Sequence, residues 1–213
     1  MEEIHIKKIR VPVIEQVNPF SDLWQKDLVL EKGKLYQIAA PSGQGKTTFL
    51  SILFGLRSDF RGDILFDKEN TRGFSLNKWI VCRRNSLSLM FQDLSLFPKL
   101  TALENIQLKQ QQSGSIASKL IMDFAKELSV NSILEKPVEH LSLGEAQRIA
   151  IIRCLAQPAD FLLLDEPFSH LDSDLKTTAM ALILEAAEKR KMALLLTSHD
   201  KESLGKDFQL IQV

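Results

Sequence analysis

The sequence predicts an α/β fold built on a mostly parallel sheet covered on both faces, and three observations carry that prediction. Short, nearly continuous apolar runs occur at residues 35–39, 161–164 and 193–197, the form of parallel strands buried on both sides. Segments with helical spacing alternate with them: Phe49, Ile52, Leu53 and Leu56 follow the first run, and residues 175–190 separate the last two. A glycine-bearing turn joins the first run directly to its helix.

The elements follow in order. Ile4, Ile6, Ile9, Val11 and Val13 recur at strand-like spacing around charged residues, and residues 23–30 read as a strand running into the turn Glu31-Lys32-Gly33-Lys34. After the strand 35–39 and the helix 47–56, residues 62–66 and 87–91 are further strands. From 101 to 156 the apolar period turns helical, through Leu103 and Ile106, then Ile116, Leu120, Ile121, Phe124 and Leu128, then Ile149, Ile152 and Leu155. That stretch predicts an inserted helical lobe, with a loop at Gln110-Gln111-Gln112-Ser113-Gly114-Ser115. Strand character returns at 161–164, 193–197 and 208–213. The length of 213 residues suits one domain, 1–213, with a core from 1–92 and 158–213 and helices over about 93–157.

Composition narrows the function. Lys+Arg and Asp+Glu are equal at 27 each, so no basic field favours nucleic acid or an anionic membrane. No run approaches the roughly 18–20 apolar residues of a membrane span, so other chains must supply one if this chain works at a membrane. Cys82 and Cys154 lie far apart outside any C-x-x-C pair, and no charged-then-apolar leader opens the chain. Reduced, buried thiols in the cytoplasm are the expectation.

Between the first buried strand and its helix stands Ala39-Ala40-Pro41-Ser42-Gly43-Gln44-Gly45-Lys46-Thr47-Thr48. A phosphate loop works through backbone N–H groups turned inward around phosphate oxygens, with the next helix offering its positive N-terminus. Gly43 and Gly45 permit that curvature, Lys46 would neutralise the β- and γ-phosphates, and the Thr47 hydroxyl would meet Mg²⁺. The strict rule fails at Ala40, where glycine is usual. That position adjoins the strand, where an ordinary negative φ suffices, whereas Gly43 and Gly45 lie nearer the phosphates.

Four further stretches occur in an order and at spacings that resemble the ATP-binding cassette (ABC) ATPases over nearly the whole chain. Leu89-Met90-Phe91-Gln92-Asp93, continuing to Ile106, resembles the glutamine loop; the resemblance puts Gln92 on Mg²⁺ and the attacking water. Leu141-Ser142-Leu143-Gly144-Glu145-Ala146-Gln147-Arg148 resembles the LSGGQ signature, with Leu143 replacing a glycine and Glu145 a glutamine. In the family this segment, here Ser142, Gly144 and Glu145, contacts ATP held by the other subunit. Ser142 and Glu145 also have the spacing of a capping box, and both roles are compatible. Residues 161–167 end an apolar strand in Asp165-Glu166-Pro167, the Walker B pattern: Asp165 for Mg²⁺ and Glu166 for the attacking water. Ser169-His170-Leu171-Asp172 resembles the D-loop, which implies Asp172 near a dimer interface, and Ser198-His199-Asp200 the switch-histidine loop, with His199 on the γ-phosphate.

The resemblance implies a P-loop NTPase of ABC type, with an N-terminal antiparallel β part beside the parallel sheet. Its catalytic residues are Glu166, His199 and Gln92; its nucleotide loop is Ala40, Pro41, Ser42, Gly43, Gln44, Gly45, Lys46, Thr47 and Thr48; its Mg²⁺ ligands are Thr47, Gln92 and Asp165. It implies a homodimer or heterodimer sandwiching ATP, an integral membrane permease docked on the helical lobe, no nucleic acid, and a place on the cytoplasmic face of the membrane. The alternative is a soluble ABC ATPase scaffold or switch with non-membrane partners. The family's adenine-stacking aromatic is displaced: residues 11–17 hold no ring, Tyr36 falls inside a strand, and Phe20 is the nearest candidate. Residues 101–105 are similar to lipoprotein-release and macrolide-export cassettes, and the short run after His199, without the regulatory tail of sugar importers, sets the expectation of a cassette outside that branch.

Overall fold

The computed structural model describes residues 1–12, 22–113, 117–199 and 204–212. In chain order the elements are β1 (Glu3–Arg10), α1 (Asp22–Gln25), β2 (Leu28–Glu31), β3 (Leu35–Ala39), α2 (Lys46–Leu53), β4 (Arg61–Phe66), β5 (Glu69–Asn70), α3 (Leu76–Asn85), β6 (Leu87–Met90), α4 (Ala102–Ser113), α5 (Ser118–Glu127), α6 (Leu143–Leu155), β7 (Phe161–Asp165), α7 (Ser173–Arg190), β8 (Ala193–Ser198) and β9 (Phe208–Gln212). They make a parallel sheet in the order β6-β7-β8-β3-β9 and an antiparallel sheet in the order β2-β1-β4-β5.

The parallel sheet separates two apolar cores, and the strand period of two divides its side chains between them. Leu162, Leu164, Leu194 and Leu196 face helices α4 to α7, meeting Ile106, Phe124, Ile149, Ile152, Leu182 and Ile183. Phe161, Leu163, Ala193 and Leu195 face α2 and the antiparallel sheet, meeting Phe49, Leu53, Ile4, Ile6 and Ile64. Each fully buried Leu or Phe contributes roughly 1.5–3 kcal/mol, which is why these strands read as unbroken apolar runs. The helices of residues 102–155 share the first core with the sheet and α7.

Local chemistry sets the boundaries. In β1, Ile4 and Ile6 point inward until the ladder slips between Lys7 and Arg10, where Lys8 has φ 48°. The facing Gly62 is required there, since a Cβ would lie 2.4 Å from the carbonyl oxygens of Lys7 and Lys8. Helix α6 starts with a capping box: Ser142 Oγ accepts from Glu145 N at 3.3 Å and Glu145 Oε2 accepts from Ser142 N at 2.8 Å. The Ser142 hydrogen bond holds the Glu145 carboxyl below the usual glutamate range. Asp172 caps α7, accepting from the backbone N–H of Asp174 and Leu175 at 3.1 and 2.9 Å.

The structure corrects the sequence reading in three places. The expected strand 23–30 is helix α1 followed by β2, because Leu23 and Trp24 turn inward to pack beneath the glycine loop. The Gln110–Gln112 run is helix, not loop: α4 continues to Ser113, and glutamine is a good helix former. Helix α3 was not foreseen. Its Leu76, Ile80 and Val81 are exposed at 72%, 50% and 53%, so its apolar spacing does not mark a buried face.

Candidate functional site

Parallel pairing brings the C-terminal ends of adjacent strands to one edge, where ligands of open α/β sheets bind. Ala39 is level with Ser198, Asp165 with Thr197, and Met90 with Leu164. The loops leaving these ends carry Lys46, Gln92, Glu166 and His199, which are distant in sequence and adjacent in space.

Their side chains converge on Glu166. Lys46 Nζ lies 3.2 Å from Glu166 Oε1, His199 Nε2 lies 2.9 Å from Oε2, and Gln92 Nε2 lies 3.5 Å from Oε2. Lys46, 4% exposed, also donates to the carbonyl oxygens of Ala40 at 2.7 Å and Pro41 at 3.2 Å, and its Nζ stands 3.5 Å from His199 Nδ1. Glu166 has φ 48°, a left-handed conformation that costs roughly 1–2 kcal/mol outside glycine. Thr197 and Gln147 hold it there. Glu166 N donates to Thr197 Oγ1 at 3.0 Å, and Gln147 Nε2 donates to Glu166 O at 3.2 Å. Thr197 Oγ1 donates in turn to Asp165 Oδ1 at 2.7 Å, so one buried hydroxyl fixes both acidic residues.

The glycine loop wraps the same point. Gly43 and Gly45 have φ 81° and 87°, and Gly45 opens α2 without a side-chain cap. Ala40 has no positive φ; fully buried, it extends the strand by donating to Ser198 O at 3.2 Å. Pro41, Ser42, Gly43 and Thr47 are exposed, while Gln44 and Thr48 are half-buried. Trp24 braces the loop from below: its indole N–H donates to Gln44 O at 3.3 Å and its ring meets Phe49 edge-on at 5.8 Å.

Ser142, Gly144, Glu145 and Asp172 stand apart from this cluster at the starts of α6 and α7. Gly144 approaches the loop after β7 so closely that a Cβ would lie 2.9 Å from His170 O. Gln147 spans the same gap, accepting from His170 N at 2.9 Å and donating to Ser169 Oγ at 3.1 Å. Leu143 is 64% exposed at the helix start. Phe20 and Asp200 lie outside the described residues.

The donor chemistry fits Mg²⁺. Thr47 and Gln92 line one cavity of about 340 Å³ with Phe91 and Asp93. A hydroxyl, an amide oxygen and the Asp165 carboxylate are hard oxygen ligands of the kind Mg²⁺ takes; Asp165 is buried outside that cavity, its Oδ1 accepting from Thr197 Oγ1.

Sequence reasoning missed Thr197, Gln147 and Trp24. Thr197 left a trace, a lone hydroxyl closing the apolar run Ala193-Leu194-Leu195-Leu196. Gln147 and Trp24 act across the fold and left none.

Residues 23–169 match the family model described as ABC transporter. The thiamine import ATP-binding protein ThiQ of Aliivibrio fischeri is 34% identical over 198 residues, covering 90% of this chain and 82% of that protein. The glucose import ATP-binding protein GlcV of Saccharolobus solfataricus is 35% identical over 91% of this chain, which spans about half, 53%, of its length. A solved dimeric structure of a post-hydrolysis state of the ATP-binding cassette MJ0796 bound to ADP and Pi has a TM-score of 0.79 at 25% identity, covering 92% of this chain and 88% of that one.

Proposed function

The chain belongs to the ABC transporter family as an ATP-hydrolysing subunit, and we propose how its residues divide that work. One observation carries the proposal: three strand-end loops deliver Lys46, His199 and Gln92 to the single carboxylate of Glu166 on a fourth. Gly43 and Gly45 let the backbone curve around the β- and γ-phosphates, and the N-terminus of α2 adds its positive end. Lys46, buried against two carbonyl oxygens, meets the phosphates in a low-dielectric setting where its charge acts strongly. A γ-phosphate drawing Lys46 and His199 to itself frees Glu166 to accept a proton from the attacking water. Thr47, Gln92 and Asp165 would hold Mg²⁺, which would supply charge neutralisation at the phosphates.

The exposed start of α6 serves a second copy or a related chain: Ser142 and the N–H groups of Leu143 and Gly144 meet ATP bound there, with Asp172 near the junction. The dimeric form of the MJ0796 structure supports this arrangement. In this reading the core, 1–92 with 158–213, carries the nucleotide loop and the helical part, 93–157, carries the Ser142 contact. No helix among the described residues is long and apolar enough to cross a membrane, so an integral permease provides the path, with this chain on its cytoplasmic face. The permease docks on the helical part, and the exposed apolar residues Leu76, Ile80 and Val81 on α3, which lies in the core, add to that face. The thiamine and glucose relatives are named for import, and that similarity over 198 residues outweighs the five-residue likeness to export cassettes. We propose import as the direction.

The Glu166→Gln variant tests the assignment. It is expected to bind Mg²⁺-ATP as the parent does and to hydrolyse it about 10²–10⁴-fold more slowly in a phosphate-release assay. Parent-like turnover would remove Glu166 from its role.

A further inference from the structure

We propose that Arg153 is a positioning residue that ties the Gln92 segment to helix α6, so that the two move as one body. Just after Gln92 the chain places two successive non-glycine residues in the left-handed region, Leu94 at φ 61° and Ser95 at φ 45°. Such residues persist only where their surroundings hold them. Local bonds contribute: Leu94 N donates to Phe91 O at 3.0 Å, Ser95 N to Asp93 O at 2.7 Å, and Ser95 Oγ to Asp93 Oδ1 at 2.7 Å.

The remaining hold comes from α6. Arg153, 6% exposed, donates from Nη1 to Ser95 O at 2.6 Å and from Nη2 to Leu94 O at 2.7 Å. Both are short, charge-assisted bonds, and they fall on the carbonyls of the two left-handed residues. Arg153 Nε is buried with no hydrogen-bond partner among the described residues, so those two carbonyls are what the guanidinium grips.

Position gives the grip a consequence. Helix α6 runs from the Ser142 cap to Leu155, and a helix transmits displacement along its axis as a rod. Near its start, Gln147 bonds the loop that carries Glu166. Arg153 therefore delivers movement of the Gln92 segment to Ser142, the end read above as facing the other chain's nucleotide. In energetic terms it supplies coupling between one chain's site and the contact that chain makes with the other site. This inference rests on the roles given to Gln92 and Ser142 under the proposed function.

The test uses the full chain and four variants: Arg153→Lys, Ser95→Gly, both together, and Gln92→Ala. Lysine cannot grip two carbonyls in a fork, so Arg153→Lys is expected to lower kcat about tenfold with the ATP KM within about twofold of the parent. Ser95→Gly alone keeps parent kcat. In the double variant kcat is expected to stay at the Arg153→Lys level, because glycine relieves the backbone strain at position 95 without restoring the two-carbonyl tie to α6. Loss of thermal stability in Arg153→Lys with kcat intact, or a double variant as fast as the parent, would overturn the inference. Unchanged turnover in Gln92→Ala would instead strike the role given to Gln92, whatever Arg153 does.

Discussion

The phosphate-loop edge of the sheet and the start of α6 both carry residues that suit an anion, but they are finished to different degrees. At the edge, Lys46 is 4% exposed and its ammonium already has two carbonyls and a carboxylate around it. At α6, Leu143 is 64% exposed, and the Ser142 and Glu145 side chains form a reciprocal cap. The first region assembles charge from four strand ends; the second offers backbone N–H groups at an open helix start. A region complete in itself can bind, whereas the open one acts only on something brought to it. That difference is the physical reason for reading the site as shared between two chains.

The contrast can be broken at the hydroxyl that fixes both acids. Thr197→Val leaves Glu166 N without its acceptor and Asp165 Oδ1 without its donor. Turnover is expected to fall about tenfold or more with ATP affinity little changed, measured by steady-state hydrolysis beside equilibrium nucleotide binding. Parent-like kcat would mean that the strand itself, not Thr197, aims the pair.

A smaller effect is expected at Ala40. Its φ already lies outside the positive range, so Ala40→Gly is expected to leave ATP affinity within about tenfold, or roughly 1.4 kcal/mol, in a titration. A larger gain would show that the methyl group impairs the loop.

The smallest effect belongs to the open region. Because the Ser142 hydrogen bond depresses the Glu145 pKa in the folded chain, its contribution is present above the ordinary glutamate value of 4.5 and lost as pH falls below it. E145Q keeps the cap uncharged throughout. The parent's thermal stability is therefore expected to decline relative to E145Q below pH 4.5, by under about 1 kcal/mol at so exposed a site. Parallel pH curves would dismiss the charge of the cap.

The same contrast explains what could be read in the sequence. Gly43, Gly45, Lys46, Asp165 and Glu166 sit in contiguous stretches whose chemistry is local, so their spacing alone exposes them. The Ser142 and Glu145 cap was legible for the same reason. Thr197, Gln147, Trp24 and Arg153 do their work on partners between 19 and 59 residues away, and no local pattern encodes that. Helix α3 was hidden by its own surface: Leu76, Ile80 and Val81 point outward, which blurs the helical period. Its Ser75 cap and the basic last turn of Arg83 and Arg84 were the signals available. Parallel strands were easy to see because both of their faces are buried.

Mixing two disabled chains tests the shared site most directly. Lys46→Ala disables a chain's own phosphate loop, and Ser142→Arg disables the contact it offers to another chain; each is purified, checked to melt within a few degrees of the parent, and assayed alone and together. In a hybrid dimer the phosphate loop of one chain meets the intact α6 start of the other. The account predicts that the mixture hydrolyses ATP well above the sum of the separate rates. A mixture that only matches that sum would contradict it.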